Sequence, residues 1–103
     1  MKIALATIKD NLSSSISLQA GRAPYYLIIN EQGELLETIK NPFAIGGGGA
    51  GTAVAKMLAD KGVDLVIAAK LGPNMAAGLE ERGVKFREAQ GAVEEVIKEV
   101  IKG

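Results

Sequence analysis

The sequence predicts an α/β protein with a mixed sheet covered by helices, in the element order β-β-β-α-β-α-β-α. Two observations carry this reading. Before the glycine run, short apolar segments rich in β-branched and aromatic residues are separated by turn residues. After it, stripes of helical period alternate with short apolar runs. The length of 103 residues supplies the bound: room for one domain with one core, residues 1–103, and too little for two.

Each element has its own signal. Lys2–Thr7 (KIALAT) is a short apolar run ending in polar residues, as a buried strand does. Ile8–Pro24 is rich in Ser, Asn and Gly and reads as a long loop. Tyr25–Asn30 (YYLIIN) is aromatic and β-branched, a strand. After the turn EQG, Glu34–Lys40 alternates with period two. Leu35, Glu37 and Ile39 share one face, Leu36, Thr38 and Lys40 the other, which suggests a hairpin with the preceding strand. Asn41–Pro42 stops it.

Ala50, Ala53, Val54, Met57 and Leu58 then form an amphipathic stripe, closed by Gly62. Val63–Ala69 (VDLVIAA) reads as a strand buried on both faces. Gly72–Asn74 (GPN) opens a short helix with Pro73 near its first turn, and Gly83 closes it. VKFREA is a short strand. The last helix gathers Val93, Val96, Ile97, Val100 and Ile101 on one face and offers Glu94–Lys98 as an i, i+4 pair. Right-handed crossovers are expected in the parallel part, and the alternating third strand is a candidate sheet edge.

Composition excludes several kinds of chemistry. Apolar residues make up 48% and charged ones 23%, ordinary for a soluble globular protein. Twelve basic residues balance twelve acidic ones without forming blocks, so nothing marks a nucleic-acid or membrane-surface binder. With no Cys and no His, the chain has no disulfide, thiolate chemistry, Ser-His-Asp triad or ordinary zinc or iron–sulfur ligation. No apolar run approaches a membrane span, and MKIALATIKD does not look like a signal peptide, so a cytoplasmic protein is expected.

The element order has a geometric consequence. If the first strand points up, the second comes down, the third goes up, and the fourth, joined through a helix, runs parallel to it. Ile8–Ala20, Gly21–Pro24, Gly46–Gly51 and Lys70–Asn74 then meet at one end of the sheet, where open α/β sheets place ligands. The glycine stretch AIGGGGAGTA (Ala44–Ala53) lies there. As a G-x-G-x-x-G or P-loop match it is poor. Asp64 stands at the wrong end of its strand for a dinucleotide fingerprint, and Thr52–Ala53 replaces the P-loop lysine. Two compatible readings remain: a tight turn into a helix packed on neighbouring backbone, and bare N–H groups at a helix start facing an anion.

Arg22 reads either as a surface residue packing its stem on Tyr25 or Tyr26, or as an anion clamp at the same rim. Lys9 and Lys70 are candidates to add charge, and otherwise solvated lysines. Asp10 and Asn11 read as turn formers, Ser13–Ser15 lack a base, and Met75 reads as core.

GRAPYYLII (21–29) after a serine-rich loop, NPFAIGGGGAGTAVAKMLADKGVDLVIA (41–68) and LGPNMAAGLEERGVKF (71–86) together resemble the dinitrogenase iron–molybdenum cofactor biosynthesis family, over nearly the whole chain. The resemblance implies a three-layer α/β/α, ribonuclease H-like fold with a five-stranded mixed sheet. It also implies a small non-enzymatic carrier or chaperone of iron–molybdenum cofactor or related iron–sulfur clusters, with a partner protein in cluster delivery. Members commonly read S-x-H-F-G-R-A-P before the second strand. Here Ser17, Leu18, Gln19, Ala20, Gly21 and Arg22 stand there, so glutamine replaces the histidine. Direct coordination of a soft cluster would fall to oxygen donors or Met, a poor match.

The expected ligand-holding set is therefore Gln19, Gly21, Arg22, Gly46, Gly47, Gly48, Gly49, Gly51, Thr52, Lys70, Gly72 and Asn74, with no catalytic residue and no metal ligand. The cofactor would not be tightly bound. Two other functions stay open. One is a binding module for another anion, a nucleotide or phosphometabolite, with the metal role lost. The other is a hydrolase, which needs clustered carboxylates for magnesium where the rim offers little beyond Asp10.

Overall fold

A computed structural model describes residues 1–45 and 50–102. Among these the chain forms β1 (Ile3–Thr7), β2 (Tyr25–Ile29), β3 (Leu35–Lys40), α1 (Ala50–Asp60), β4 (Leu65–Ala68), α2 (Pro73–Glu81), β5 (Lys85–Glu88) and α3 (Val93–Lys102). The strands join into one five-stranded sheet of order β3-β2-β1-β4-β5. β2 is antiparallel to β1 and β3, whereas β4 is parallel to β1 and β5. β4 therefore has the expected direction, but its neighbour is β1, and β3 lies at an edge.

Strand alternation sorts the core into two layers. Ala4, Ala6, Tyr26, Ile28, Val66 and Ala68 face α1 and α2, meeting Val54, Ala55, Leu58, Met75 and Leu79. Ile3, Leu5, Leu27, Ile29 and Ile67 face α3, meeting Val93, Val96 and Ile97. The result is a three-layer α/β/α fold of ribonuclease H-like arrangement.

Both α1 and α2 end as their glycines predict. Gly62 has φ +78° and Gly83 φ +72°. The Gly62 N–H donates to the Ala59 carbonyl and Val63 N–H to Leu58, at 3.0 and 3.2 Å. Gly83 and Val84 repeat this with Glu80 and Leu79. These are Schellman closures, each sealed by an apolar pair within the core.

Two local expectations are corrected. The period-two pattern of β3 is broken by a register shift: Ile28 pairs with Glu37, but Ile29 pairs with Leu35, so Leu36 is an extra residue. Leu35 thus moves to the α3 side and does not share a face with Glu37 and Ile39. On α3, Lys98 pairs with Glu95 at 3.8 Å, one turn position away from the expected Glu94. Both partners are exposed, and such a pair contributes little.

Candidate functional site

Strand directions put the carboxyl ends of β1, β3, β4 and β5 at one end of the sheet, together with the start of β2. The loop after β1 divides there. Its first half is tied to the α3 side: Ile16 N–H donates to Gly91, and Val93 N–H to Ser14, at 2.9 and 3.0 Å. Asn11 Oδ1 accepts the Ser13 N–H at 2.9 Å, an Asx turn. Buried Ser14 accepts the Lys9 N–H and donates to Ser15, which is a structural role. Lys9 and Asp10 therefore do not line the cavity that the loop's second half borders.

The second half crosses the sheet end. Ser17 N–H donates to Ala6 at 2.8 Å and Ala20 N–H to Lys70 at 3.1 Å. This delivers Gln19–Arg22 beside the β4–α2 connection. A cavity of about 320 Å³ opens between them, lined by Gln19, Ala20, Gly21, Arg22, Ala50, Gly51, Lys70, Gly72, Pro73, Asn74 and Met75.

Seven of the residues expected from sequence are brought together: Gln19, Gly21, Arg22, Gly51, Lys70, Gly72 and Asn74. Thr52 is exposed on α1 and does not line the cavity. Gly46, Gly47, Gly48 and Gly49 lie outside the described residues.

Two glycines let three backbones converge on the cavity. A Cβ at Gly21 would stand 3.3 Å from Gly51 Cα. A Cβ at Gly51 would stand 3.0 Å from Met75 N and 3.1 Å from Met75 Cβ. The packing reading of the glycine-rich entry to α1 thus holds for Gly51. Met75 is buried in the core, as expected.

The cavity's charge is one-sided. Half-buried Arg22 and exposed Lys70 line it, and no carboxylate does among the described lining residues. It also receives the first turns of α1 and α2, where the helix dipole places partial positive charge. Pro73 opens α2 after Gly72, at a position where a missing N–H costs nothing. Just outside, Glu88 accepts the Leu71 N–H at 3.3 Å.

Two supports were not legible as such from sequence. Tyr26 is fully buried, and its hydroxyl donates to the Ala20 carbonyl. Burial pushes its phenol well above the ordinary value of 10.0. Asn41, read from sequence only as a strand stop, is buried against the Gly21–Ala23 turn. For Asn41 the only sequence signal is its position after a strand and before a proline, and its partners lie 18 to 20 residues away.

Tyr26 yields a pH prediction. A folded-state pKa raised above 10.0 means that its contribution is whole below pH 10.0 and is lost as pH rises beyond it, because the unfolded chain releases the proton more easily. Tyr26→Phe should cost about 1 kcal/mol at neutral pH and should lose stability less steeply than the wild type above pH 10.0. Urea unfolding at successive alkaline pH values reads both slopes; parallel slopes would refute the assignment.

Fold and cavity together define a small α/β/α domain with its cavity at the carboxyl end of the parallel strands. The chain belongs to the dinitrogenase iron-molybdenum cofactor family, whose profile matches residues 1–103. It is 31% identical to an uncharacterized protein of Methanocaldococcus jannaschii, covering 100% of this chain and 87% of that one. A solved Thermotoga structure described as a candidate NifB protein of the DUF35 family is 34% identical, with TM-score 0.82 over 99% of this chain and 88% of that one. The orange protein of Desulfovibrio gigas shares the fold at TM-score 0.82 and 22% identity, covering 94% of this chain and 84% of that one.

The cavity's donors do not fit direct ligation of a cluster iron. The chain has no thiolate or imidazole, and the heteroatom-bearing side chains lining the cavity are those of Gln19, Arg22, Lys70, Asn74 and core-packed Met75. Among the described residues no group of three or more Asp and Glu is placed to hold a metal ion, and no helix is long and apolar enough to cross a membrane. What the lining offers instead is the two cations Arg22 and Lys70 beside the starts of two helices.

Proposed function

We propose that residues 1–103 are a single non-enzymatic binding domain that takes an anionic cargo of the iron–molybdenum cofactor or iron–sulfur precursor type, transiently, at the cavity between the Arg22 turn and the start of α2. The carrying observation is the pairing of Arg22 and Lys70 with two helix starts around a cavity that no carboxylate lines, among the described residues. The family supplies the cargo class. Gln19, Gly21, Arg22, Gly51, Lys70, Gly72 and Asn74 are the contacts, and the protein supplies charge and hydrogen bonds while the metals keep their own ligands. Release to a partner protein in the cytoplasm is the step such loose holding suits. Nothing in this reading involves nucleic acid or membrane.

The absence of soft donors favours a second reading on the same residues: a module for another anion, a nucleotide or phosphometabolite. A volume of about 320 Å³ lies at the small end of ligand pockets and accepts a phosphate-sized group as readily as one end of a cluster.

The test is anaerobic incubation of the purified protein with isolated iron–molybdenum cofactor, and separately with iron, molybdate and sulfide, followed by desalting and metal counting. The carrier reading expects near-stoichiometric metal that falls in Arg22→Ala. Metal absent from both samples rejects it and leaves the phosphate-type anion as the ligand to titrate.

A further inference from the structure

Resting on the cavity reading above, we infer that Asn41 is the positioning residue of the anion site: it sets the Arg22 turn without touching the ligand. The geometry is specific. Asn41 Nδ2 donates to the Gly21 carbonyl at 3.1 Å and to the Ala23 carbonyl at 2.9 Å, so one amide group grips the chain on both sides of Arg22. Asn41 Oδ1 accepts the Phe43 N–H at 2.9 Å. Its own N–H donates to the Pro24 carbonyl at 3.0 Å. Asn41 is only 4% exposed, so these bonds form away from competing water.

No other side chain of this size matches that demand. The site needs two donors on one atom and an acceptor on the next, which is a primary amide. Aspartate has the same shape but presents only acceptors to two carbonyl oxygens. Glutamine has the groups on a longer stem. Pro42 adds to the arrangement by holding the preceding residue, Asn41, in extended backbone.

What Asn41 joins explains why this bears on the ligand. It ties the Gly21–Ala23 turn to the end of β3 and to the segment that leads toward α1. Gly21 in turn packs on Gly51 at the start of α1, where a Cβ would come within 3.3 Å of Gly51 Cα. Two cavity walls are therefore set by one side chain that is not itself among the lining residues. Arg22 and Asn41 also line a second cleft of about 540 Å³. The turn is thus a thin wall with space on either side, and Asn41 braces the backbone from which Arg22 projects. A site group left even slightly loose loses much of its worth.

The test compares wild type and Asn41→Asp in two readouts. Molybdate affinity is measured by titration calorimetry. Amide hydrogen exchange is followed at Ala20 and Ala23, whose N–H groups bond to Lys70 and Ala20 in the turn, with Ile67 in β4 as the reference. The expected result is that molybdate binding weakens at least about tenfold and that Ala20 and Ala23 lose protection while Ile67 keeps it. If Asn41→Asp does not fold, Asn41→Ser, which keeps one donor, carries the same comparison. A folded variant with wild-type affinity and wild-type exchange overturns the inference. Lost protection with unchanged molybdate affinity also overturns it, leaving Asn41 a stability residue. A wild type that binds neither molybdate nor phosphate rejects the anion site itself, and with it any positioning role.

Discussion

Gly51→Leu is expected to lower stability by about 3 kcal/mol, the upper part of the range for overpacking a well-filled contact. The cause is backbone, not side chain. A Cβ at this position would lie 3.0 Å from Met75 N and 3.1 Å from Met75 Cβ, so α1 and α2 must separate to admit it. Alanine gains about 1 kcal/mol in helix propensity over glycine, yet its Cβ meets the same atoms. Gly51→Ala should therefore still destabilise, by about 1 kcal/mol. Gly72→Ala is the control, since a Cβ there meets nothing within 4 Å and its φ is −70°. For a chain of this size the leucine variant should melt more than about 10 °C below wild type. An unshifted melting point would mean that the close approach is dispensable and that Gly51 is there for a ligand alone.

The second large effect separates the two cations of the cavity. Arg22 is half-buried and Lys70 is exposed. A charge-assisted hydrogen bond from a partly buried group is worth about 1.5–3 kcal/mol, whereas an exposed pairing is worth about 0–1. Arg22→Ala should then weaken anion binding by about 10- to 100-fold and Lys70→Ala by no more than about fivefold. Raising the salt should erode the lysine's share first, because exposed charges are screened over about 8 Å at physiological ionic strength. Arg22→Lys should recover only part of the loss, a point charge replacing a planar fork. Equal losses for the two alanine variants would contradict this ranking.

Much of this was legible in the chain, and for identifiable reasons. Helix ends were readable because Gly62 and Gly83 must adopt positive φ, a local demand written in one residue each. Strand directions followed from connectivity, and they were enough to bring Gln19, Arg22, Gly51 and Lys70 to one cavity. The extra residue at Leu36 was not readable, because a bulge depends on the partner strand. The splitting of the first loop was hidden too, since the contacts of Ser14 and Ile16 with Val93 and Gly91 span most of the chain. Asn41 was missed for the same reason: it supports carbonyls that only the fold brings near. The family likeness carried the cargo class, which nothing in the periodicity could have supplied.

The central claim is that an anion sits between Arg22, Lys70 and the starts of α1 and α2. Titrating isotopically labelled protein with molybdate, and following every backbone amide by NMR, tests it most directly. The account predicts saturable shifts confined to Gln19–Arg22, Gly51 and Lys70–Met75, absent in Arg22→Ala. Shifts that centre elsewhere, or that persist unchanged in Arg22→Ala, would contradict it.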